Sequence, residues 1–245
     1  MSLNIKQKEI YSRQIEMDEI GEEGQQKLLK ASALVVGCGG LGAPVLYYLT
    51  AMGIGHLGIC DGDNISLPNL NRQILFEMDD TGKQKVKVTR KRLTALNPDL
   101  KITIYDEYMD DKLAKKVIPD YDIVIDCLDN FDTRFILNDA CIKFKKPLIH
   151  AGIEEYYGQM MTIIPGEGPC LRCLFPNGID ENKKKKQPGV IGPTPGVLGA
   201  MQAMEAAKYI LGLKVCNDGL IMYDGLNQST EKVLLKTSPK CKCKS

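Results

Sequence analysis

Residues 31–60 contain no Asp, Glu, Lys or Arg, and a stretch of this length is long enough to span a bilayer. Seven glycines and Pro44 interrupt it, which argues against a membrane-spanning helix. The stretch instead divides into an apolar strand at 34–36, a glycine turn, a helix at 41–52 and a second strand at 57–60. This order is typical of a buried β-α-β unit, because helices cover both faces of a parallel sheet.

Strand and helix signals go on alternating after this unit. The sequence predicts helices at 85–96, 110–117 and 133–143, and strands at 101–105, 122–126 and 147–150. Such alternation predicts an α/β fold: a Rossmann-like, doubly wound, mainly parallel sheet with helices on both faces. After residue 152 we expect a smaller C-terminal lobe with a helix at 197–211 and antiparallel strands near 159–164, 220–223 and 232–236.

Composition excludes several classes of protein. With 44% hydrophobic and 26% charged residues, the chain is globular rather than disordered. Its 32 Lys and Arg against 31 Asp and Glu lack the basic excess of nucleic-acid-binding proteins, so no nucleic-acid partner is expected. The N-terminus lacks the apolar core of a secretory signal, which predicts a cytoplasmic protein with no membrane association and with its nine cysteines reduced.

Residues 37–42 carry the first chemical signal. They read Gly-Cys-Gly-Gly-Leu-Gly, directly after a predicted strand and at the start of a predicted helix, with Asp61 about 20 residues further on. Glycines let the backbone approach phosphates, and the helix N-terminus supplies amide donors and a positive dipole. This pattern alone is shared by sites for NAD, FAD, S-adenosylmethionine and ATP, and it also occurs as a mere tight turn.

Downstream residues discriminate between these ligands. Acids, amides and cations follow the later strands and reach the same edge of the sheet: Asp61, Asp63, Asn69, Arg72, Gln73, Lys85 and Asp129. A redox dinucleotide would not require Arg72, Lys85 and Asp129 together. A triphosphate requires all three, because the two cations stabilise the phosphate charge and the carboxylate holds Mg²⁺.

Four motifs make the indication specific. The segments DGDNISLPNLNRQ, GKQK, LDNFDTR and CLRC, in this order and spacing, resemble the ThiF/MoeB/HesA family, prokaryotic relatives of ubiquitin-activating enzymes. The resemblance extends from Tyr11 to Cys243. It implies adenylation, with MgATP, of the C-terminal glycine carboxylate of a ubiquitin-like sulfur carrier (ThiS- or MoaD-like, ending in Gly-Gly), with release of pyrophosphate, in thiamine or molybdopterin biosynthesis.

The resemblance also assigns roles. Asp61 would bind the ribose, Asn69 and Arg72 the phosphates, Lys85 the charge developing on the α-phosphate, Asp129 the Mg²⁺ ion, and Arg13 would reach the partner's site in a homodimer. The implied catalytic residues are Arg13, Arg72, Lys85 and Asp129. The implied nucleotide-binding residues are Gly37, Gly39, Gly40, Gly42, Asp61, Asp63, Asn69, Arg72, Gln73, Lys85, Asp129 and Asn130.

Simpler interpretations exist for each of these residues. Lys83 and Lys85 could be solvated helix residues, Asp129 and Asn130 could cap the following helix, and Arg13 could form a surface ion pair worth about 0–1 kcal/mol. The two histidines, His56 and His150, are interpreted as structural. Two rival functions also stay open: a nicotinamide-dependent Rossmann oxidoreductase, and a non-catalytic nucleotide- and zinc-binding scaffold.

The cysteines divide into two groups. Cys170, Cys173, Cys241 and Cys243 suit a closed, tetrahedral structural Zn²⁺ site. The family carries two C-x-x-C pairs, so the C-x-C spacing at 241–243 departs from it, and partial occupancy or a disulfide in the tail are alternatives. The other five are expected to be buried apolar thiols: Cys38, Cys60, Cys127, Cys141 and Cys216.

The segment 177–195 is predicted to be a mobile crossover loop, and it contains no cysteine. Some relatives form a covalent link to the carrier through a cysteine in this loop. Lys185 stands at about that place, before Pro188-Gly189-Val190. We therefore expect no enzyme thioester and an external sulfur donor. The lysine run 183–186 is interpreted as a solvated loop, with attraction of an acidic carrier as the alternative.

These expectations divide the chain into three regions. Residues 1–30 form an N-terminal segment with helices near 6–17 and 22–29, residues 31–152 the ATP-binding region, and residues 153–245 a lobe that binds the carrier and zinc.

Overall fold

One sheet of eight strands runs through the computed structural model, which describes residues 2–179, 189–239, 241 and 243. The strands are β1 (Ser32–Val36), β2 (His56–Cys60), β3 (Lys101–Tyr105), β4 (Ile123–Asp126), β5 (Leu148–Glu154), β6 (Tyr157–Ile163), β7 (Gly219–Asp224) and β8 (Ser229–Leu234). The α-helices are α1 (Ile5–Ile10), α2 (Ser12–Ile15), α3 (Gly21–Lys30), α4 (Gly42–Ala51), α5 (Lys85–Leu96), α6 (Asp111–Val117), α7 (Phe131–Phe144), α8 (Leu171–Leu174) and α9 (Pro193–Leu211).

The strand order is β3-β2-β1-β4-β5-β6-β7-β8. All pairings among the first five of these strands are parallel, and β1 pairs with both β2 and β4. The chain therefore changes direction across the sheet at β1, and the carboxyl ends of β1, β2 and β4 meet at one edge. In open α/β sheets, ligands bind in the crevice at such a switch point.

Successive residues of β1 face two separate cores. Ala33 and Val35 pack in a cluster that includes residues of α4, α5 and α9, whereas Leu34 and Val36 pack in a cluster that includes residues of α6 and α7. Both faces of the sheet are thus covered by helices, as the charge-free strand sequence predicts. The mixed α/β sheet with flanking helices is confirmed.

The antiparallel strands predicted for the C-terminal lobe are present, and they continue the parallel sheet: β5–β6, β6–β7 and β7–β8 all pair antiparallel. The second strand of the predicted hairpin is shifted toward the N-terminus, at Ser229–Leu234 instead of 232–236. In the turn between β7 and β8, Asp224 accepts hydrogen bonds from the amides of Leu226 and Asn227. The division of the chain at residues 30 and 152 stays a prediction.

Two further element boundaries differ from the prediction. The expected helix at 6–17 is interrupted at Tyr11, whose side chain is buried and lies beneath Gly53. The expected loop at 177–195 ends earlier, since α9 begins at Pro193. Proline fits the first helical turn, because its missing N–H would have no partner there.

None of the described helices is long and apolar enough to cross a membrane. Lys185, Pro188 and the lysine run at 183–186 lie outside the described residues.

Candidate active site

The glycine turn follows β1 and leads into α4. Gly37 has a φ of +102°, and a Cβ there would lie 2.5 Å from the carbonyl oxygen of Cys127. A Cβ at Gly42 would lie 2.0 Å from the carbonyl oxygen of Gly37. The protein's own packing therefore requires these two glycines, as in the dinucleotide-binding fingerprint.

Gly39 and Gly40 lie in a more open part of the turn. The atom nearest to a Cβ at Gly39 would be Nε2 of Gln73 at 3.5 Å, an ordinary contact, and at Gly40 it would be Pro195 at 3.1 Å. Internal packing does not explain a glycine at position 39. A turn that must approach phosphates closely does explain it, because a side chain there would occupy the space of the ligand.

Asp61 joins the end of β2 to the glycine turn. One carboxylate oxygen accepts a hydrogen bond from the amide of Cys38 at 2.7 Å, and the other accepts one from the amide of Asp63 at 2.9 Å. Burial raises the pKa of Asp61, and the nearby Lys85 opposes that shift. Asp61 thus ties the end of β2 to the glycine turn.

Lys85, the first residue of α5, is the buried cation of the site. Its side chain is 5% exposed, and Nζ lies 2.7 Å from Oδ2 of Asp63 and 4.0 Å from Oδ2 of Asp61. A buried ammonium is stable only when it is paired in this way. Lys83, by contrast, is 56% exposed and pairs with Asp80. The interpretation as a solvated residue therefore fits Lys83 and is wrong for Lys85.

Tyr108, which follows β3, is a residue that the sequence did not single out. Its hydroxyl donates to Oδ1 of Asp63 at 2.7 Å, and its backbone and ring cover Gly62. Burial raises the pKa of Asp63, but the hydrogen bonds from Lys85 and Tyr108 outweigh that effect and leave the pKa below its usual value. The available signal was position: Tyr108 follows a strand that ends at the same sheet edge.

The segment after Asp63 folds back over the glycine turn. Arg72 lies with its Cγ 3.6 Å from where a Cβ of Gly40 would be, and its guanidinium donates to the carbonyl of Pro68 at 2.8 Å. Gln73 is 5% exposed, and its Oε1 has no hydrogen-bond partner in the described part of the chain. The side-chain oxygen of Asn69 is already engaged, since Oδ1 accepts a hydrogen bond from the amide of Ser66 in a 3₁₀ turn.

The start of α9 covers the same turn. Pro195 approaches Gly40, and a Cβ at Gly192 would lie 2.6 Å from the carbonyl oxygen of Asn71. Glu155, in the turn between β5 and β6, donates its amide to the carbonyl of Gly189 at 2.8 Å. Residues 189–195 thus form part of the site's wall, which sequence reasoning missed because it placed them in a loop.

Asp129 and Asn130 follow β4 at the edge that β1 and β2 share. Asn130 caps α7, because its Oδ1 accepts the amide of Thr133 at 2.9 Å. Asp129 is exposed. The capping interpretation therefore holds for Asn130, while Asp129 presents a carboxylate, the ligand type that Mg²⁺ prefers.

Arg13 lies apart from these groups, in α2. Its side chain is 90% exposed and pairs with Glu16 at 3.0 Å. Within one copy of the chain, the structure shows the surface ion pair and does not bring Arg13 to the glycine turn.

The four cysteines from the two ends of the C-terminal region converge. Their sulfur atoms lie within 4.8 Å of one another, with Cys170 and Cys241 at 3.4 Å and Cys173 and Cys243 at 3.6 Å. Zinc–sulfur bonds of about 2.3 Å in a tetrahedron give sulfur–sulfur separations of about 3.8 Å. The cluster therefore fits a Zn²⁺ ion, and the C-x-C spacing does not prevent it.

Burial raises the pKa of Cys170 to about 12. The thiol is thus protonated at neutral pH unless a cation binds, and a coordinated metal deprotonates its thiol ligands.

The remaining cysteines lie outside this cluster. Four of them are buried as predicted: Cys38, Cys60, Cys127 and Cys141. Cys216 is partly exposed, so the prediction of a buried thiol is wrong there. It lies in the segment between α9 and β7, where its amide donates to Glu205.

Comparison with known proteins agrees with this geometry. The sequence profile of the ThiF family matches residues 11–245. The sulfur carrier protein adenylyltransferase of Thermus thermophilus is 39% identical, over 94% of this chain and 88% of the relative. The sulfur carrier protein ThiS adenylyltransferase of Escherichia coli is also 39% identical, over 94% and 92% respectively. The crystal structure of E. coli MccB with ATP superposes with a TM-score of 0.84 at 26% identity, covering 96% of this chain and 74% of that one.

The open position at Gly39 gives a direct test of the turn. Gly39→Ala should leave the melting temperature unchanged within about 2 °C, because the new Cβ meets only an ordinary contact at 3.5 Å. It should weaken ATP binding by roughly tenfold or more, since the methyl group enters the space of the phosphates. Isothermal titration with ATP and thermal unfolding of the same samples measure both effects. Unchanged ATP affinity would show that the turn does not cradle phosphate.

Proposed function

The chain belongs to the ThiF family, and we propose that it uses MgATP to adenylate the C-terminal glycine carboxylate of a ubiquitin-like sulfur carrier, with release of pyrophosphate. The buried Lys85 beside the glycine turn is the observation that carries this function, because a cation held there is placed for a nucleotide's phosphates. The two adenylyltransferase relatives favour this reaction over hydride transfer by a nicotinamide enzyme.

We assign the nucleotide's parts to the residues around the turn. The triphosphate would lie against Gly37, Gly39, Gly40, Gly42 and the amide end of α4, and Asp61 would bind the ribose hydroxyls. Arg72, Gln73 and Asn69 would contact phosphate oxygens. The Oε1 of Gln73 is buried and has no hydrogen-bond partner among the described residues. Because that atom is an acceptor, it would suit a donor such as a ribose hydroxyl or water.

Lys85 would change partners during the proposed reaction. Its ammonium pairs with the carboxylate of Asp63, and a phosphate that approaches the turn would offer it a second anion. Transfer of Lys85 to the α-phosphate exchanges one ion pair for another, so the cation is never left buried and unpaired. Asp63 keeps the hydrogen bond from Tyr108 meanwhile, which holds it in place for the return of Lys85.

The chemistry is an in-line displacement. A carboxylate oxygen of the carrier's terminal glycine attacks the α-phosphorus, the bond to the bridging oxygen breaks, and pyrophosphate leaves. The attacking carboxylate is already ionised, so no general base is needed. Catalysis then consists of positioning and of stabilising charge, which Lys85 and Arg72 supply.

Asp129 would hold the Mg²⁺ ion that accompanies ATP, and the ion would neutralise charge on the phosphates. Asn130 would border the nucleotide while it caps α7. The four-cysteine cluster would hold Zn²⁺ as a structural ion that links the turn before α8 to the C-terminal tail.

We propose a homodimer in which Arg13 completes the partner's site. Its side chain is 90% exposed and lies away from the glycine turn of its own copy, so it has the freedom to reach across an interface. We further propose a cytoplasmic enzyme that forms no thioester and passes the acyl-adenylate to an external sulfur donor, in thiamine or molybdopterin biosynthesis.

Lys85→Ala and Asp129→Ala should each lower carrier-dependent ATP–pyrophosphate exchange by about 100-fold or more, because each removes charge stabilisation from the phosphates. Lys83→Ala is the matched control. That lysine lies two residues away but is exposed and paired with Asp80, so exchange should change less than twofold. Full exchange by Lys85→Ala would refute the assigned site.

Purified protein should contain about one zinc per chain, measured by atomic emission. Cys173→Ser should abolish binding and lower thermal stability, since the tail loses its anchor. Cys216→Ser, a partly exposed cysteine outside the cluster, should keep the metal. Absence of zinc from wild-type protein grown with the metal would contradict the assignment.

If Arg13 completes the site of the partner subunit, two inactive variants should complement each other in a mixed dimer. Arg13→Ala and Lys85→Ala proteins should each be inactive alone. An equal mixture should regain up to about a quarter of wild-type exchange, because about half of the dimers are mixed and each mixed dimer contains one intact site of two. A mixture that stays inactive after verified subunit exchange would exclude this role.

A further inference from the structure

Charged groups lie buried beneath the loop that carries Asp129. Asp126 and His150 are fully buried, and Arg134 is 5% exposed. Oδ2 of Asp126 accepts a hydrogen bond from Nδ1 of His150 at 2.6 Å and lies 3.7 Å from Nε of Arg134. Burial lowers the pKa of His150, which the hydrogen bond to Asp126 partly opposes. The imidazole is therefore neutral, and Asp126 faces one formal positive charge, that of Arg134.

The same groups hold the backbone next to Asp129. Oδ1 of Asp126 accepts the amide of Leu128 at 3.0 Å, and Nη2 of Arg134 donates to the carbonyl of Leu128 at 2.5 Å. The backbone N–H and the backbone carbonyl of Leu128 are thus both held by buried side chains. The carboxylate of the following residue, Asp129, is left exposed at the sheet edge.

Further contacts anchor this arrangement to the surrounding elements. Nη2 of Arg134 also donates to the carbonyl of Ala151 in β5 at 3.1 Å. Gln202 in α9 donates to the carbonyls of Asp126 at 2.8 Å and Ile149 at 3.2 Å. The network therefore ties the loop after β4 to β5, α7 and α9, elements that cannot move independently of the core.

We propose that Asp126, His150 and Arg134 are positioning residues that set the affinity of Asp129 for the magnesium ion of MgATP. The proposal rests on the proposed function, which makes Asp129 the metal ligand. A carboxylate binds a metal tightly when its backbone is held in the binding geometry beforehand. Loss of such an outer partner typically weakens metal affinity 10–100-fold.

Mn²⁺ binding tests the network directly. Mn²⁺ bound in the presence of full-length protein and a saturating non-hydrolysable ATP analogue is measured by electron paramagnetic resonance, and the Mn²⁺ bound by the same concentration of analogue alone is subtracted. Arg134→Met removes the donor to Leu128 and should raise the Mn²⁺ dissociation constant roughly tenfold or more. Arg134→Lys keeps a cation beside Asp126 but reaches fewer carbonyls, so we expect a smaller rise in the Mn²⁺ dissociation constant. This variant also provides the measurement if Arg134→Met does not fold.

His150 provides a paired test. His150→Leu removes the hydrogen bond to Asp126, whereas the amide nitrogen of Asn in His150→Asn can replace Nδ1 as donor. We expect weakened Mn²⁺ binding in the first variant and near wild-type binding in the second. Equal affinity in Arg134→Lys, His150→Leu and wild type would overturn the proposal.

Glu205→Gln controls for general destabilisation. Glu205 is also buried, and it accepts hydrogen bonds from Thr162 at 2.8 Å and the amide of Cys216 at 2.7 Å. This variant should lose thermal stability while Mn²⁺ affinity stays within twofold. A loss of affinity as large as that of Arg134→Met would contradict a specific positioning role.

Asp129→Asn distinguishes a failure of the positioning role from a failure of the metal site. If it abolishes Mn²⁺ binding and the Arg134 and His150 variants do not weaken it, the positioning proposal fails while the metal site stands. If Mn²⁺ binds equally without the Asp129 carboxylate, the metal site itself is wrong and the positioning proposal falls with it.

Discussion

The hydrogen bond from the amide of Cys38 to the carboxylate of Asp61 is the contact on which the site depends. It joins the turn after β1 to the end of β2 and so fixes the turn's geometry. That geometry requires Gly37 and Gly42, where backbone oxygens leave no room for a Cβ. It also places the carboxylate of Asp61 in a buried position. Burial raises the pKa of this carboxyl group, and the charge of Lys85 opposes that shift. The proposed phosphate binding and charge stabilisation both depend on this one local arrangement.

The site is therefore assembled from the ends of neighbouring strands, and each end contributes a different property. The turn after β1 provides an open backbone at Gly39, the end of β2 provides acids, and the start of α5 provides a buried cation. Beyond β4, a buried network supports an exposed carboxylate at Asp129. Parallel strands bring these ends together because their carboxyl ends share one edge of the sheet.

Sequence reasoning predicted the parts of this site that depend on local pattern. Alternating strands and helices, the glycine turn and the cysteine pairs all carry short-range signals. The parallel strands with helices on both faces are present, and the four cysteines meet across about 70 residues of chain. Tyr108, the wall formed by residues 189–195 and the partnership of Asp126 with His150 were missed. Each of these features depends on packing between segments that are distant in sequence. Such packing leaves no periodicity or motif in the local sequence.

The proposed site transfers the adenylyl group of ATP to a carrier carboxylate, and labelled ATP can follow that transfer with a purified sulfur carrier ending in Gly-Gly and no sulfur donor. Label from the α-phosphate should become attached to the carrier, while label from the γ-phosphate should be recovered in pyrophosphate. Recovery of the γ-phosphate label on the carrier, or of neither label on it with every carrier offered, would contradict the claim.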